Sequence, residues 1–169
     1  MIMEKKTVWK WFFVWDFDKE EDWLNEMADE GWVLCGVGFC SYTFERCAPE
    51  EYTVRLEMKK PDDGYISFME ETGAEYIGRV VQWIYFRKRN EYGPFDLFSD
   101  MDSRIEHLDR IGLSLRIIGI ANLLIGLVNS INRQSIGWIN LLCATLLMYG
   151  LGRIRGKQEA LERERTLRE

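Results

Sequence analysis

Histidine is almost missing from this chain of 169 residues, with one copy, and proline has three. The four cysteines, Cys35, Cys40, Cys47 and Cys143, contain no Cys-x-x-Cys pair, so neither a zinc cluster nor a dithiol redox site is indicated. A surplus of positive charge is also missing, with 22 Lys and Arg against 28 Asp and Glu, a net charge of -6. That balance does not suit a protein that lives on phosphate contacts, and nucleic acid is not expected as a partner. There is no Walker loop, no His-Glu-x-x-His and no Gly-x-Ser-x-Gly. Gly36-Val37-Gly38 lacks the third glycine and the following helix of a dinucleotide fingerprint. No catalytic residue, metal or cofactor is therefore assigned, and a non-enzymatic role is favoured.

What the chain has is apolar. Leu113 to Ile131 and Ile136 to Gly152 are each long enough to cross a bilayer, which takes roughly 17–25 residues. Arg116 is the one charge inside them and sits near an end, where it can snorkel. The link Asn132-Arg133-Gln134-Ser135 suits a tight turn, so a transmembrane helical hairpin is expected over 113–152. Arg104, Arg110 and Arg116 precede it, and Arg153, Arg155 and Lys157 follow it, whereas the turn carries Arg133 alone. Positive charge concentrates on the cytoplasmic side, so both termini are expected there, in a cell membrane. Gly112, Gly119 and Gly126 recur every seven residues, as do Asn122 and Asn129. Such a repeat keeps small and polar groups on one helix face. Gly119, Asn122, Gly126, Asn129, Asn140 and Thr145 are the expected packing residues. Asn129 would face Asn140, and Asn122 would face Thr145, within the hairpin or across a homodimer.

Residues 1–99 carry 12 basic and 20 acidic side chains and six of the seven Trp. An acidic, aromatic-rich domain over 1–92 is expected, cytoplasmic and with reduced thiols, since Lys10 and Asp16 interrupt the apolar run that an export signal would need. Strand signals run over 6–15, 32–45, 52–59 and 80–87, and helix signals over 16–31 and 65–72. Asp18 is the expected cap of the first helix, with Glu20, Glu21 and Asp22 in its first turn. The order strand, helix, strand, strand, helix, strand predicts an α+β fold, a ferredoxin-like βαββαβ domain ahead of the hairpin, with an antiparallel sheet open on one face. Trp9, Trp11, Phe39, Tyr42, Trp83 and Tyr85 are the candidate surface on that face for a protein partner or a small apolar ligand, and a membrane lipid surface is a further way to cover it. Glu45 and Glu57 could form a carboxylate pair across strands, although cross-strand pairing with bases explains them as well.

Residues 93–112 read as a linker and juxtamembrane helix, and 153–169 as a charged tail. Phe95, Phe98, Asp100 and Arg104 form a candidate coupling segment between domain and hairpin. Asp102 or Ser103 is the expected cap of the helix entering the membrane. His107, among charged neighbours, is expected to be solvated.

Lys6-Thr-Val-Trp-Lys-Trp-Phe12, Asp22-Trp-Leu-Asn-Glu-Met-Ala28 with Gly31-Trp32, and Val37-Gly-Phe-Cys-Ser-Tyr-Thr-Phe-Glu45 resemble a bacterial family. So do Tyr65-Ile-Ser-Phe-Met-Glu-Glu-Thr-Gly73, Trp83-Ile-Tyr-Phe-Arg-Lys88 and Gly93-Pro-Phe-Asp-Leu-Phe-Ser-Asp100. This is domain-of-unknown-function family 2812, and the resemblance covers about residues 5–110. It implies no activity or catalytic residues. Its members are often encoded beside PadR-type regulators, which implies a regulatory or stress-response setting. The competing readings are an enzyme with a pocket on the sheet, and an accessory subunit of a membrane transporter.

Overall fold

The computed structural model describes residues 4–60, 62–132 and 134–168. Pro61 of the expected loop and Arg133 of the expected turn lie outside them. The chain divides between Ser99 and Asp100 into an α+β unit and a helical unit.

Aromatic and β-branched residues put Lys5–Trp9 into strand β1, shorter than the expected 6–15 because Val14–Asp16 turns into a 3-10 helix. Helix α1 (Phe17–Asp29) follows. Asp16, not Asp18, takes its N-cap position and pairs with Lys19 at 2.9 Å. Gly31 (φ 84°) ends α1 in the left-handed conformation that costs other residues most. Strands β2 (Trp32–Gly38) and β3 (Ser41–Arg46) come next, then β4 (Tyr52–Met58), helix α2 (Asp63–Glu71), β5 (Ala74–Val80) and β6 (Trp83–Arg89). In β4 the expected alternation holds from Tyr52 to Leu56, and it ends at Glu57, which is buried like Met58 beside it.

The topology departs from the single four-stranded sheet expected. The expected strand 32–45 is a hairpin, and the expected strand 80–87 spans the loop and second arm of another whose first arm is Ala74–Val80, which gives six strands in two three-stranded sheets, ordered β1-β3-β2 and β4-β6-β5. The loops are two residues each, Phe39-Cys40 and Val81-Gln82, and neither carries the Asn-Gly or Asp-Gly signature of a tight hairpin. Instead Cys40 (φ 54°) and the β-branched Val81 (φ 57°) adopt the left-handed conformation themselves.

The two sheets are two copies of one β-α-β-β module. In each, the last strand lies between two strands antiparallel to it. That is the split β-α-β arrangement. Both hairpins break register at the same place, between Leu34 and Gly36 and between Tyr76 and Gly78. Gly31, Gly36 and Phe44 recur 42 positions later as Gly73, Gly78 and Phe86. Gly73 (φ 86°) ends α2 as Gly31 ends α1, and Phe44 and Phe86 are both fully buried. The modules are joined through α1. Val54 of edge strand β4 donates its N–H to Asn25 Oδ1 (2.8 Å) and accepts from Asn25 Nδ2 (3.1 Å), while Leu56 N–H donates to Glu21 Oε2 (3.1 Å). These side chains satisfy backbone groups that would otherwise lie unpaired on a sheet edge.

In the second unit, helices α3 (Met101–Ile131) and α4 (Gly137–Arg168) are each long and apolar enough to cross a membrane. Asp100 caps α3, accepting from Ser103 N–H (2.8 Å) in a capping box, where Asp102 or Ser103 had been expected. The charged tail continues α4. Gln158 bonds Asp109 (3.1 Å) and Arg165 pairs with Asp102 (2.7 Å), so the polar ends of the two helices are joined as well.

Candidate functional site

The six aromatics expected on one open face divide into two groups. Trp9 and Trp11 follow one another out of β1, and the Lys10 N–H between them donates to the Cys40 carbonyl (3.1 Å), which ties this stretch to the β2–β3 loop. Trp9, Trp11 and Phe39 are 76%, 59% and 70% exposed. The Trp11 ring stands 6.0 Å from those of both Phe13 and Phe39, edge-on. Lys10 Nζ lies 4.2 Å from the centre of the Trp23 ring. Trp83 is half-buried and stacks on Phe17 (5.7 Å).

Tyr42 and Tyr85 point inward instead, because their positions on β3 and β6 face α1. Both hydroxyls donate to Glu20 Oε1, at 2.8 and 2.6 Å. Glu20 is buried and thus joins one tyrosine from each module. Burial raises its pKa, and the Tyr85 and Tyr42 hydrogen bonds partly offset the rise. By sequence Glu20 is one of three acids expected in the first turn of this helix, with Glu21 and Asp22. Its spacing from Leu24 and Met27, four and seven residues on, puts it on the buried stripe and is the signal that marks it. Beside it Glu21 pairs with Arg55 (3.4 Å), and burial, offset in part by Arg55, lifts its carboxyl to about 7.

Glu45 and Glu57 form no pair with one another. Arg87 Nη1 donates to Glu45 Oε1 (2.8 Å) and to the Leu34 carbonyl (3.0 Å), and Arg87 Nε donates to Glu75 (2.7 Å). Glu45 and Arg87 are equivalent positions of the two modules, so the repeat places opposite charges where its copies meet. Glu57 accepts from the Tyr65 hydroxyl (2.8 Å). Burial pushes the Cys35 and Cys47 thiols up, Glu45 adding at the first and Glu51 at the second, which keeps both poor nucleophiles. Among the described residues no group of His, Cys, Asp and Glu is placed to hold a metal ion.

Of the candidate coupling segment, Phe95 is buried among Met69, Ala74, Ile84 and Phe86, and its carbonyl accepts from Arg55 Nε (3.1 Å). Phe98 is half-buried, and Arg104 is exposed on α3. His107 is 2% exposed rather than solvated. Burial pushes its imidazole down to about 3, with the Arg110 charge acting the same way. The folded state therefore binds fewer protons than the unfolded chain, whose histidine titrates near 6.5. Stability from this group is full above pH 6.5 and falls as pH drops toward 3, by about 1.4 kcal/mol per pH unit. Unfolding is followed from pH 7 to pH 4 in detergent for the intact chain and for His107→Leu, and the difference between them should show that slope, since the raised Glu20 and Glu21 carboxyls contribute the opposite slope to both.

In the hairpin the glycines line the seam. A Cβ on Gly112 would touch Leu151 (3.5 Å), one on Gly119 would overlap the Met148 methyl, and one on Gly126 would stand 2.9 Å from Leu141 Cδ2. The asparagines flank the seam, half-buried. Asn122 and Asn140 donate to their own helix at Ile118 (2.9 Å) and Ile136 (3.4 Å), and the exposed Thr145 does so at Leu141 (2.9 Å). The Asn129 carbonyl accepts from Gln134 N–H (2.8 Å). Within the hairpin the Asn122, Asn140 and Thr145 side chains make these local bonds in place of the expected pairings, because a donor four residues past a carbonyl reaches it without crossing to the other helix. With the glycines facing inward, the arrangement that would have favoured a transporter subunit is absent from this seam.

An α+β unit of paired β-α-β-β modules followed by two helices of membrane-spanning length defines the class of this protein. The family model described as "Protein of unknown function (DUF2812)" matches residues 16–120, from α1 into the first apolar helix, and the chain belongs to that family. No curated protein and no solved structure matches it.

Proposed function

We infer that this is a two-pass protein of the bacterial cell membrane, with both termini cytoplasmic, whose N-terminal unit is a binding module rather than an enzyme. The exposed rings of Trp9, Trp11 and Phe39, the last two in contact with one another, carry the reading, since large rings left in water mark a surface with a target. The buried ionisable groups support it from the other side. Glu20, Glu45 and Arg87 are engaged with one another's modules and hold the fold together. The arginines flanking the hairpin support the orientation. The PadR association implied by the family resemblance fits a regulatory setting.

One labelling experiment tests both parts. Single cysteines are introduced by Ser135→Cys, Glu50→Cys and Phe39→Cys, exposed to a membrane-impermeant maleimide, and read by mass at each site. Ser135→Cys should label in intact cells, and Glu50→Cys only after permeabilisation. Phe39→Cys should stay protected even then, because its target covers it. A Glu50→Cys that labels from outside overturns the orientation. Equal labelling of Phe39→Cys and Glu50→Cys in permeabilised cells overturns the binding role.

A further inference from the structure

The two ends of the N-terminal unit are chemically unlike. Arg87 reaches the Leu34 carbonyl at 3.0 Å, and Glu75 pairs with the same Arg87. Three residues further along both strands, a Cβ on Gly78 would lie 3.1 Å from Val37 Cγ2. Strands β2 and β5 therefore run side by side in one direction, and the loops Phe39-Cys40 and Val81-Gln82 emerge at the same end. The end of β1 is there as well, since Trp9 pairs with Ser41. This end presents Trp9, Trp11, Phe13, Phe39 and Val81, all exposed. Its charges nearly balance, with Lys10, Lys59, Lys60 and Arg79 against Asp18, Asp62 and Asp63, and Asp16 held by Lys19. The opposite end exposes Lys5, Asp29, Glu30, Glu50 and Glu71, together with Glu4 and Glu91, which pair with Arg46 (3.3 Å) and Arg89 (3.5 Å), so that acids outnumber bases there.

The chain itself limits what can cover the aromatic end. Helix α3 begins at Met101 and its apolar stretch at Leu113, about 12 residues or roughly 18 Å of helix later. If α3 crosses the bilayer, the unit is held within that reach of the headgroups. The segment leaving the unit also turns back from the acidic end. After Arg89 and the turn at Asn90–Tyr92, Phe95 returns to the level of Arg55 and Phe86, in the direction of the aromatic end. An anionic leaflet repels the acidic end. Trp and Phe on a nearly charge-balanced surface suit the boundary between headgroups and acyl chains.

We propose that the aromatic end of the N-terminal unit docks on the lipid surface of the membrane that α3 and α4 cross, with Trp9, Trp11 and Phe39 seated at the acyl-chain boundary. The proposal rests on the two-pass reading above and names the target of the same end. Insertion is driven by the rings, so it needs no anionic lipid.

The test uses the full chain, purified, in phosphatidylcholine nanodiscs whose lipids carry bromine near the top of the acyl chains, where bromine quenches nearby tryptophan. Trp138, beside the turn of the hairpin, reports whether the helices lie in the bilayer. Trp9 and Trp11 are read as the difference between the intact chain and the Trp9→Tyr, Trp11→Tyr variant, whose exposed substitutions spare the core. The expected result is that bromolipid quenches both the Trp138 signal and the difference signal. A nitroxide at Phe39→Cys should also be more accessible to oxygen, and less to a water-soluble nickel complex, than one at Glu50→Cys. A quenched Trp138 with an unquenched difference signal overturns lipid docking and leaves the two-pass reading standing, and points to a protein target for the same end. An unquenched Trp138 overturns both.

Discussion

Glu20→Leu should destabilise the N-terminal unit by about 2–5 kcal/mol. The substitution leaves the Tyr42 and Tyr85 hydroxyls buried without their acceptor, and each such orphan costs roughly 1–3 kcal/mol. In a unit of this size that is a fall in melting temperature of about 10 °C or more. The readout is thermal unfolding of the full chain in detergent, followed by near-ultraviolet circular dichroism of the aromatic core. Glu20→Gln keeps a carbonyl acceptor and should lose much less. Combining Glu20→Leu with Tyr42→Phe and Tyr85→Phe removes donors and acceptor together, and should recover a large part of the loss. If the triple variant is as unstable as the sum of its parts, the hydrogen-bonded bridge between the modules is not what Glu20 supplies.

Gly126→Ala should weaken the helical hairpin by about 1–3 kcal/mol, against the ordinary gain of roughly 0.5–1 kcal/mol for Gly→Ala within a helix. The new Cβ would stand 2.9 Å from Leu141 Cδ2 and 3.1 Å from the Leu141 backbone nitrogen. A backbone atom yields only if the helices move apart, and close approach of backbones is what glycine gives a membrane helix pair. Gly119→Ala meets the flexible end of Met148 and should be nearly neutral. Gly152→Ala, with nothing within 4 Å, should be neutral or stabilising. Unfolding by sodium dodecyl sulfate titrated into mild detergent ranks the three. Equal effects at 126 and 152 would remove Gly126 from the seam.

Much of this was legible in the residues. The two apolar runs, the heptad spacing of Gly112, Gly119 and Gly126, the alternation of Tyr52 to Leu56 and the stop at Gly31 each follow from local rules of period and conformation, and each is seen in the structure. The doubled module was legible too, through Gly31, Gly36 and Phe44 recurring as Gly73, Gly78 and Phe86. It escapes notice because the intervening side chains differ and because Cys40 and Val81 make the hairpin loops without the usual turn residues.

The sequence by itself determined where the helices and the membrane-length hairpin lie, and to which family the chain belongs, because periodicity and ordered motifs are local properties. The number of strands and their pairing did not follow from them. Only the tertiary structure decided which aromatics are covered. Trp11 and Tyr42 carry similar strand signals, yet one stands in water and the other donates to a buried carboxylate. A period of two tells which residues share a face. What is packed against that face depends on where α1 lies and on how the second module meets the first, and those contacts join residues tens of positions apart.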